Sequence, residues 1–447
     1  MSSTLLKFPL RLDRLLPWLV LAVLAVLAVL AVPAHAELRI DITRGVTDPI
    51  PVAVVPFARS VPADGGVDVA AVVQRDLESS GRFRGMARTG MPAQPARATD
   101  VDAAQWRALR NDYVVVGRMG AGSAAQVRIE FELLNVLTGQ TLLQESVSVP
   151  QASVRLGAHR VADKVFEKIT GIRGAFSTRI AYISVDGRPP NQRYQLIVAD
   201  ADGENARVAM QSPQPIMSPA WSADGQWLAY VSFENRVAAV FVQRVSSGER
   251  RQVSARAGVN GAPAFSPDGS KLALTLSGSS GNLDVYVLDL ASQALTRITD
   301  DPAIDTEAVW SPDGQTLYFT SDRGGGPQIY AVAPRQGQRA RRITFGSGYV
   351  ARPRVSPDGR QLAFVTQESG GYRIALMDLA SNQVATLSRG GLDESPSFAP
   401  NGAVLIYAGR DRGQGVLATV SIDGQVTQQL KSDSGEVREP VWGPFAN

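Results

Sequence analysis

A four-residue turn motif recurs five times in the second half of this chain and constrains the fold more than any other feature. The motif reads Ser-Pro-Asp-Gly or a close variant and starts at positions 222, 266, 311, 356 and 399, at intervals of 44, 45, 45 and 43 residues. Pro presets φ for a turn, Asp accepts backbone hydrogen bonds, and Gly takes the positive-φ position. We interpret the motif as a hairpin turn. A metal-ligand role for the aspartates is the alternative, but turns repeated around a ring point away from one another.

Short alternating segments around each motif predict four strands per repeat. In one repeat they cover residues 263–265, 272–275, 285–289 and 295–299. Four antiparallel strands at this period form one blade of a β-propeller. Residues 179–184 read as a second strand with no first strand before it, and residues 440–445 as a first strand with no second strand after it. The sequence therefore predicts six blades, closed by strands from both ends, which leaves no free sheet edge.

The first 36 residues are typical of a secretory signal peptide. Lys7, Arg11 and Arg14 precede an apolar run over 15–32, and Ala34 and Ala36 supply the small residues of a cleavage site after Ala36. A retained membrane anchor is the alternative, since 18 apolar residues just span a bilayer.

Residues 37–175 lack the repeat and predict a small α/β domain. Helices are expected at 68–80, 102–110 and 153–170, with strands at 52–57 and 113–117 and a hairpin over 127–149. The fold class is thus two-domain, α/β plus all-β, with the six-bladed propeller over 176–447.

Composition and motifs argue against several functions. The chain has no cysteine, and after cleavage it holds 42 basic and 41 acidic side chains without a basic cluster, which does not favour nucleic-acid binding. No nucleophile elbow, zinc motif or P-loop is present. His159, the sole histidine after cleavage, is expected to be a surface or domain-packing residue. We expect no cofactor and no metal; an enzyme using paired carboxylates, and an ion or small-ligand binder in the channel, stay open.

The loops from each fourth strand to the next first strand predict a docking face at the channel mouth. They span 211–218, 255–262, 300–307, 345–352, 389–395 and 432–439 and carry nine acidic residues against four basic ones. Solvated loop charge is the alternative to a surface that steers a partner. The acidic residues are Asp300, Asp301, Asp305, Glu307, Asp393, Glu394, Asp433, Glu436 and Glu439, and the basic ones Arg256, Arg352, Arg389 and Arg438. The residues expected to ring the mouth are Ser218, Ala262, Glu307, Arg352, Ser395 and Glu439.

Specific segments resemble the TolB family of the Tol-Pal system. They are FEKITGI at 166–172, GAF at 174–176, RIAY at 179–182, SPQPIMSPAWS at 212–222, NGAPAFSPDG at 260–269 and LDESP at 392–396. The resemblance covers the whole mature chain. It implies a non-enzymatic periplasmic adaptor that supports outer-membrane invagination at cell division and envelope integrity, and that some colicins exploit.

The resemblance also implies two partner sites. The lipoprotein Pal would dock on the propeller face, and TolA would bind the first residues of the mature chain, up to about residue 45. Val259 departs from the family pattern, in which a polar side chain is common. The implied Pal-face residues are Asn260, Gly261, Ala262, Asp305, Thr306, Glu307, Arg352 and Glu394. The implied TolA-segment residues are Glu37, Leu38, Arg39, Ile40, Asp41 and Ile42.

Overall fold

The computed structural model of the chain describes residues 48–60, 66–123, 125–278, 281–345, 348–430 and 435–445. The predicted signal peptide, its cleavage site and the segment 37–45 lie outside the described residues. Within these ranges, none of the helices has the length and apolar character needed to cross a bilayer.

A mixed sheet with helices on both faces forms the N-terminal α/β domain. Its strand order is β3-β1-β4-β5-β6; β1 runs parallel to β3 and β4, and β4, β5 and β6 are antiparallel. The short strand β2 pairs with β4. The strands are β1 Ile50–Val54, β2 Ala58–Arg59, β3 Phe83–Gly85, β4 Tyr113–Ala121, β5 Gln126–Asn135 and β6 Gln140–Pro150. The helices are α1 Val69–Ser79, α2 Ala103–Ala108 and α3 Val154–Thr170.

The three predicted helices are confirmed, and their ends show why they form there. The Asp68 side chain caps α1 by accepting from the Ala71 amide at 3.0 Å. Gly171 ends α3 with φ of 73°, a left-handed conformation that glycine adopts without strain. The apolar sides of α1 and α3 pack on one sheet face, and Trp106 of α2 packs on the other. Both sheet faces are thereby buried, which explains the near-continuous apolar run of β1 and β4.

Six four-stranded antiparallel sheets form the propeller, as the repeat predicts. Within each blade the strands are ordered outward from the axis, and in blades 2 to 6 a corner motif joins the first and second strands. Blade 1 contains β7 Arg179–Asp186, β8 Arg193–Asp200 and β9 Arg207–Ser212, and blade 2 contains β10 Ile216–Trp221, β11 Trp227–Ser232, β12 Ala239–Arg244 and β13 Arg250–Ser254. Blade 3 contains β14 Asn260–Phe265, β15 Lys271–Ser277, β16 Leu283–Asp289 and β17 Leu295–Arg297, and blade 4 contains β18 Asp305–Trp310, β19 Leu317–Ser321, β20 Gln328–Val332 and β21 Arg341–Arg342. Blade 5 contains β22 Val350–Val355, β23 Gln361–Glu368, β24 Gly371–Asp378 and β25 Val384–Thr386, and blade 6 contains β26 Glu394–Phe398, β27 Val404–Asp411, β28 Gln414–Ser421 and β29 Thr427–Leu430.

The last strand, β30 Glu436–Trp442, completes blade 1 and closes the ring. It is antiparallel to β7, with Glu436 opposite Val185 and Trp442 opposite Ile180. The predicted pairing of the two ends is therefore confirmed. Blade 1 has its innermost strand from one end of the chain and its other three strands from the start of the propeller.

The corner motifs are hairpin turns, as predicted. In one of them the Ser266 hydroxyl donates to Asp268 at 2.5 Å and accepts from the Lys271 amide, while Gly269 has φ of 71°. The hydrogen bond from Ser266, with further bonds from Ser270, lowers the pKa of Asp268 to about 2. The Asp268 carboxylate therefore accepts hydrogen bonds within the turn, which supports the interpretation of the motif as a hairpin turn.

His159 on α3 lies buried at the junction between the two domains. Its Nδ1 is 2.7 Å from Asp76 Oδ2 on α1, and its Nε2 is 3.8 Å from Asp200 Oδ2 on the propeller. The surface interpretation of His159 is wrong, because only 1% of the side chain is exposed, and the domain-packing alternative is confirmed. Burial alone would lower the pKa of His159, but the carboxylates of Asp76, Asp200 and Asp202 outweigh it and raise the pKa to about 10.

Other contacts join the domains around His159. The Arg155 guanidinium pairs with the Asp202 carboxylate, and Asn401, in the corner of blade 6, donates to the Arg173 carbonyl at 2.9 Å. Gly81, at the end of α1, approaches Val426 so closely that a Cβ there would lie 2.3 Å from a valine methyl group. The domains are therefore joined by both apolar and charged contacts.

Replacing His159 with Gln is expected to lower the free energy of unfolding by roughly 2–4 kcal/mol near pH 6. Burial already raises the pKa of Asp76 to about 6, and without His159 this carboxyl group loses the cationic partner that offsets the cost of burying its charged form. A histidine whose folded pKa is raised stabilises fully below its unfolded pKa of about 6.5 and loses that effect as the pH rises towards about 10. Urea unfolding near pH 6 and near pH 9.5 should therefore show a smaller difference between the two proteins at the higher pH. Arg160→Gln, an exposed change on the same helix, is the control; an equal loss in both variants would contradict this account.

Candidate functional site

Six residues at equivalent positions of the innermost strands surround the channel mouth, as the sequence predicts. Each adopts a left-handed conformation although none is glycine, with φ between 44° and 58°. The strand register shifts at each of them, so each is a β-bulge. The sequence places these residues in loops; the structure places them inside strands that begin earlier than predicted. They are Ser218, Ala262, Glu307, Arg352, Ser395 and Glu439.

The bulges tie neighbouring blades together. The Glu307 amide donates to the Thr275 hydroxyl of blade 3 at 3.2 Å, and the Arg352 amide donates to the Thr320 hydroxyl of blade 4 at 3.1 Å. The Ser218 amide donates to the Glu439 carboxylate across the closure between blades 1 and 2. These bonds hold the left-handed backbone in place, so the mouth is a rigid ring.

Arg352 forms ion pairs with two carboxylates at the mouth. Its Nε is 3.2 Å from Glu307 Oε1 and its Nη1 is 3.4 Å from Glu394 Oε2. Burial alone would lower the pKa of Arg352, but the carboxylates of Glu307, Glu394 and Glu439 outweigh it and raise the pKa. Burial also raises the pKa of Glu439. Much of the acidic charge at the mouth is therefore balanced within the protein.

Some of the predicted surface charge is not at the surface. Asp305 is fully buried and pairs with Arg323 at 2.6 Å, and Asp393 is buried and accepts from the Gly390 amide at 2.8 Å. Asp433 lies outside the described residues. Asp305, one of the implied Pal-face residues, and Asp393 therefore brace their own loops, so neither side chain is open to contact with a partner.

The implied partner residues separate into buried and accessible groups. Asn260 is 1% exposed and holds its own loop, accepting from Ser254 and donating to the Arg256 carbonyl. Gly261 and Thr306 are partly exposed beside the bulges, and the Glu394 side chain is 42% exposed. Side-chain contact with a partner is thus available to Thr306 and Glu394, whereas Asn260 can act only by shaping the loop.

Four exposed apolar side chains lie on the mouth face, and of these only Val259 was singled out from the sequence, as a departure from the family pattern. Val259, Ile304 and Leu392 are each three residues before a bulge and are 43–47% exposed, while Phe345 is 76% exposed. They belong to four consecutive blades and form what we call the apolar arc. The recurring position before the bulge is the signal that could have revealed them. Exposed apolar side chains clustered on one face are typical of a protein-binding surface.

Below the mouth, the channel contains a cavity of about 320 Å³. Its walls include Trp221, Trp310 and Phe265, each directly before a corner motif, and Trp442, the last residue of β30. The Trp310 indole donates to the Ala264 carbonyl and the Trp221 indole to the Val441 carbonyl, each across a blade boundary. The aromatic side chains therefore both line the channel and join the blades.

The described residues contain one other group of titratable side chains with possible metal ligands, formed by Asp76, His159 and Asp202 at the domain junction. Arg155 already pairs with Asp202 there, and the raised pKa of His159 favours its protonated, non-ligating form. The group therefore acts as a domain contact.

Fold and site together define a two-domain β-propeller protein whose channel mouth is ringed by β-bulges and carries exposed apolar side chains. Comparison with known proteins agrees: residues 166–446 match the TolB beta propeller domain and residues 38–142 the TolB amino-terminal domain. The chain belongs to the TolB family.

Close relatives cover almost the whole chain. It is 51% identical to the Tol-Pal system protein TolB of Methylococcus capsulatus, over 92% of this chain and 95% of the relative. It is 45% identical to the protein of the same name from Thioalkalivibrio sulfidiphilus, with the same coverage. The crystal structure of TolB from Acinetobacter baumannii superposes with a TM-score of 0.83 at 39% identity, over 92% of this chain and 100% of that one.

Replacing Ala262 with Gly is expected to raise the free energy of unfolding by roughly 0.5–1 kcal/mol, because glycine removes the left-handed strain of an L-residue at this bulge. Ala264→Gly, two residues along the same strand in regular β conformation, is the matched control and should lower it by about 1 kcal/mol. Thermal unfolding of the two variants measures the difference. Equal destabilisation by both would show that the bulge is unstrained.

Proposed function

We propose that this protein is a periplasmic adaptor of the Tol-Pal system. It binds the lipoprotein Pal through the propeller's mouth face and TolA through the first residues of the mature chain, and so supports outer-membrane invagination at division and outer-membrane integrity. The observation that carries the proposal is the mouth face, where a rigid ring of bulges presents the apolar arc beside Glu394. The names of the relatives, which are Tol-Pal system proteins, support it.

The chemistry of the mouth face suits a protein partner. Apolar side chains at the centre of an interface supply most of the affinity, and charged side chains at its rim supply steering and specificity. Here Ile304 and Phe345 would contribute apolar contact, while Glu394 would attract a basic group. Both Glu307 and Glu394 pair with Arg352, but the Glu394 side chain is 42% exposed and the Glu307 side chain 27%. Glu394 is therefore the mouth carboxylate better placed to meet that group.

Several features support a binding role over catalysis. His159, the sole histidine after the proposed cleavage, is buried at the domain junction. The carboxylates at the mouth are occupied by Arg352 and by backbone amides. The relatives are named as proteins of an envelope system, without reference to a reaction.

The proposed TolA site, from Glu37 to Ile42, lies outside the described residues, and the proposal for it depends on family membership. An alternating segment of this kind can pair as a strand with a partner's sheet edge. If its position also biases the mouth loops, the two partners are thermodynamically coupled.

Replacing Glu394 with Arg is expected to weaken binding of purified Pal by about tenfold or more, because it sets a positive charge against the partner's basic group. Isothermal titration calorimetry at low and moderate salt measures the change, and the difference should shrink as salt screens it. Glu249→Arg, in an exposed hairpin at the other end of the propeller, is the control and should bind as the wild type does. Unchanged affinity of Glu394→Arg for Pal would contradict the proposal that Glu394 faces a basic group of Pal.

Deleting residues 37–45 from the mature chain is expected to abolish TolA binding, because it removes the proposed contact segment. Pal affinity measured on the same protein tests the coupling: a changed affinity supports it, and identical affinities for the full and shortened chains contradict it. Retained TolA binding would place the TolA site elsewhere.

A further inference from the structure

Among the described residues, Arg354 is the one charged side chain at the middle level of the central channel. Two residues beyond each bulge, the innermost strands contribute one residue each to a level of the channel wall. Five of these six residues are small, whereas blade 5 contributes Arg354. The small residues are Ala220, Ala264, Val309, Ser397 and Val441. Because small side chains leave the centre open, the Arg354 guanidinium faces an accessible cavity.

The positive charge of Arg354 is only weakly compensated by neighbouring groups of the protein. Among the described residues its guanidinium makes one hydrogen bond, from Nη1 to the adjacent Pro353 carbonyl at 2.8 Å, and no ion pair. A guanidinium has five N–H donors. Burial lowers the pKa of Arg354, the nearby positive charge of Arg352 lowers it further, and Glu307 and Glu439 offset only part of the effect. Since arginine stays charged in proteins, the channel contains a cation that lacks a counter-ion.

Arg352, on the same strand, is a guanidinium in this channel whose charge is compensated, and it can be compared directly with Arg354. It pairs with both Glu307 and Glu394. The contrast indicates that the lack of a partner at Arg354 is particular to that position and is not a general property of the channel.

The walls around Arg354 are aromatic and apolar. The indole N–H groups of Trp221, Trp310 and Trp442 all donate to protein acceptors, so these side chains have only carbon surface left for a ligand. Blade 5 has Val355 where the neighbouring blade 4 has Trp310, which leaves additional space beside the guanidinium.

We propose that the central channel is a binding site for a small organic anion, namely a carboxylate with a flat apolar body. The carboxylate would accept two parallel hydrogen bonds from the Arg354 guanidinium, and the body would lie against the indole rings. The ligand would enter from the end lined by the corner motifs, at Pro267, Pro312 and Pro357, because Glu307 and Glu439 repel anions at the mouth. The Arg354 level lies deeper in the channel than the proposed Pal contacts, although the same cavity reaches Ala262, Glu307 and Arg352 at the mouth.

Benzoate is the probe, compared with acetate, which lacks the apolar body, and with chloride at equal ionic strength. Benzoate at ten times its dissociation constant should raise the Tm of the mature wild-type protein by about 1–3 °C, and acetate should raise it less. Benzoate should also change the tryptophan fluorescence saturably, and Trp310→Phe should reduce that change. No saturable effect of benzoate beyond that of chloride would overturn the proposal.

Arg354→Gln is the main variant. Without anion it should be at least as stable as the wild type, because it removes an uncompensated charge, and it should lose the response to benzoate. Arg339→Gln, an exposed arginine in an outer hairpin, is the control and should keep the response. Arg354→Lys keeps the positive charge but lacks the planar guanidinium that can form two parallel hydrogen bonds, so its response to benzoate should be weaker than that of the wild type. This variant also tests the proposal if Arg354→Gln does not fold. An equal response in Arg354→Gln and the wild type would show that benzoate binds elsewhere.

Discussion

The antiparallel pairing of β30 with β7 is the interaction on which the rest of the propeller depends. Each blade buries its faces against its neighbours, so an unclosed ring would expose the flank of a terminal blade and the edge of β7. The chain has no disulfide to hold its ends. Closure therefore depends on the ladder from Glu436 to Trp442 and on hydrogen bonds at the seam, including the one from the Trp442 indole to the Thr178 hydroxyl at 2.8 Å.

Closure also explains the properties of the mouth. A fixed ring allows six non-glycine residues to hold left-handed conformations, and at Ser218, Glu307 and Arg352 a side chain of the neighbouring blade accepts the amide hydrogen. It fixes Arg352 between Glu307 and Glu394, so part of the charge is neutralised internally. The surface left for a partner consists of the apolar arc and a few exposed charges such as Glu394. Rigidity of this kind lowers the entropic cost of association.

Side-chain contacts at the domain junction also fix the N-terminal domain against the propeller. His159 is held between Asp76 of that domain and Asp200 of the propeller, and Gly81 contacts Val426. These contacts make the small domain part of one body with the ring. The segment proposed to bind TolA precedes this domain in the sequence, and under the proposed coupling the junction would connect that domain with the mouth.

The sequence by itself determined the blade number, the closure by both ends, the three helices of the small domain and the hairpin role of the Ser-Pro-Asp-Gly corners. These features depend on periodicity and turn chemistry, which are local properties of the chain. Only the tertiary structure decided that Asp305 and Asp393 are buried, that His159 joins two domains and that the apolar arc shares one face. It also decided that Arg354 has no ion-pair partner among the described residues. Each of these outcomes depends on which residues from distant blades meet, and a linear pattern does not encode side-chain burial or pairing across a closed ring.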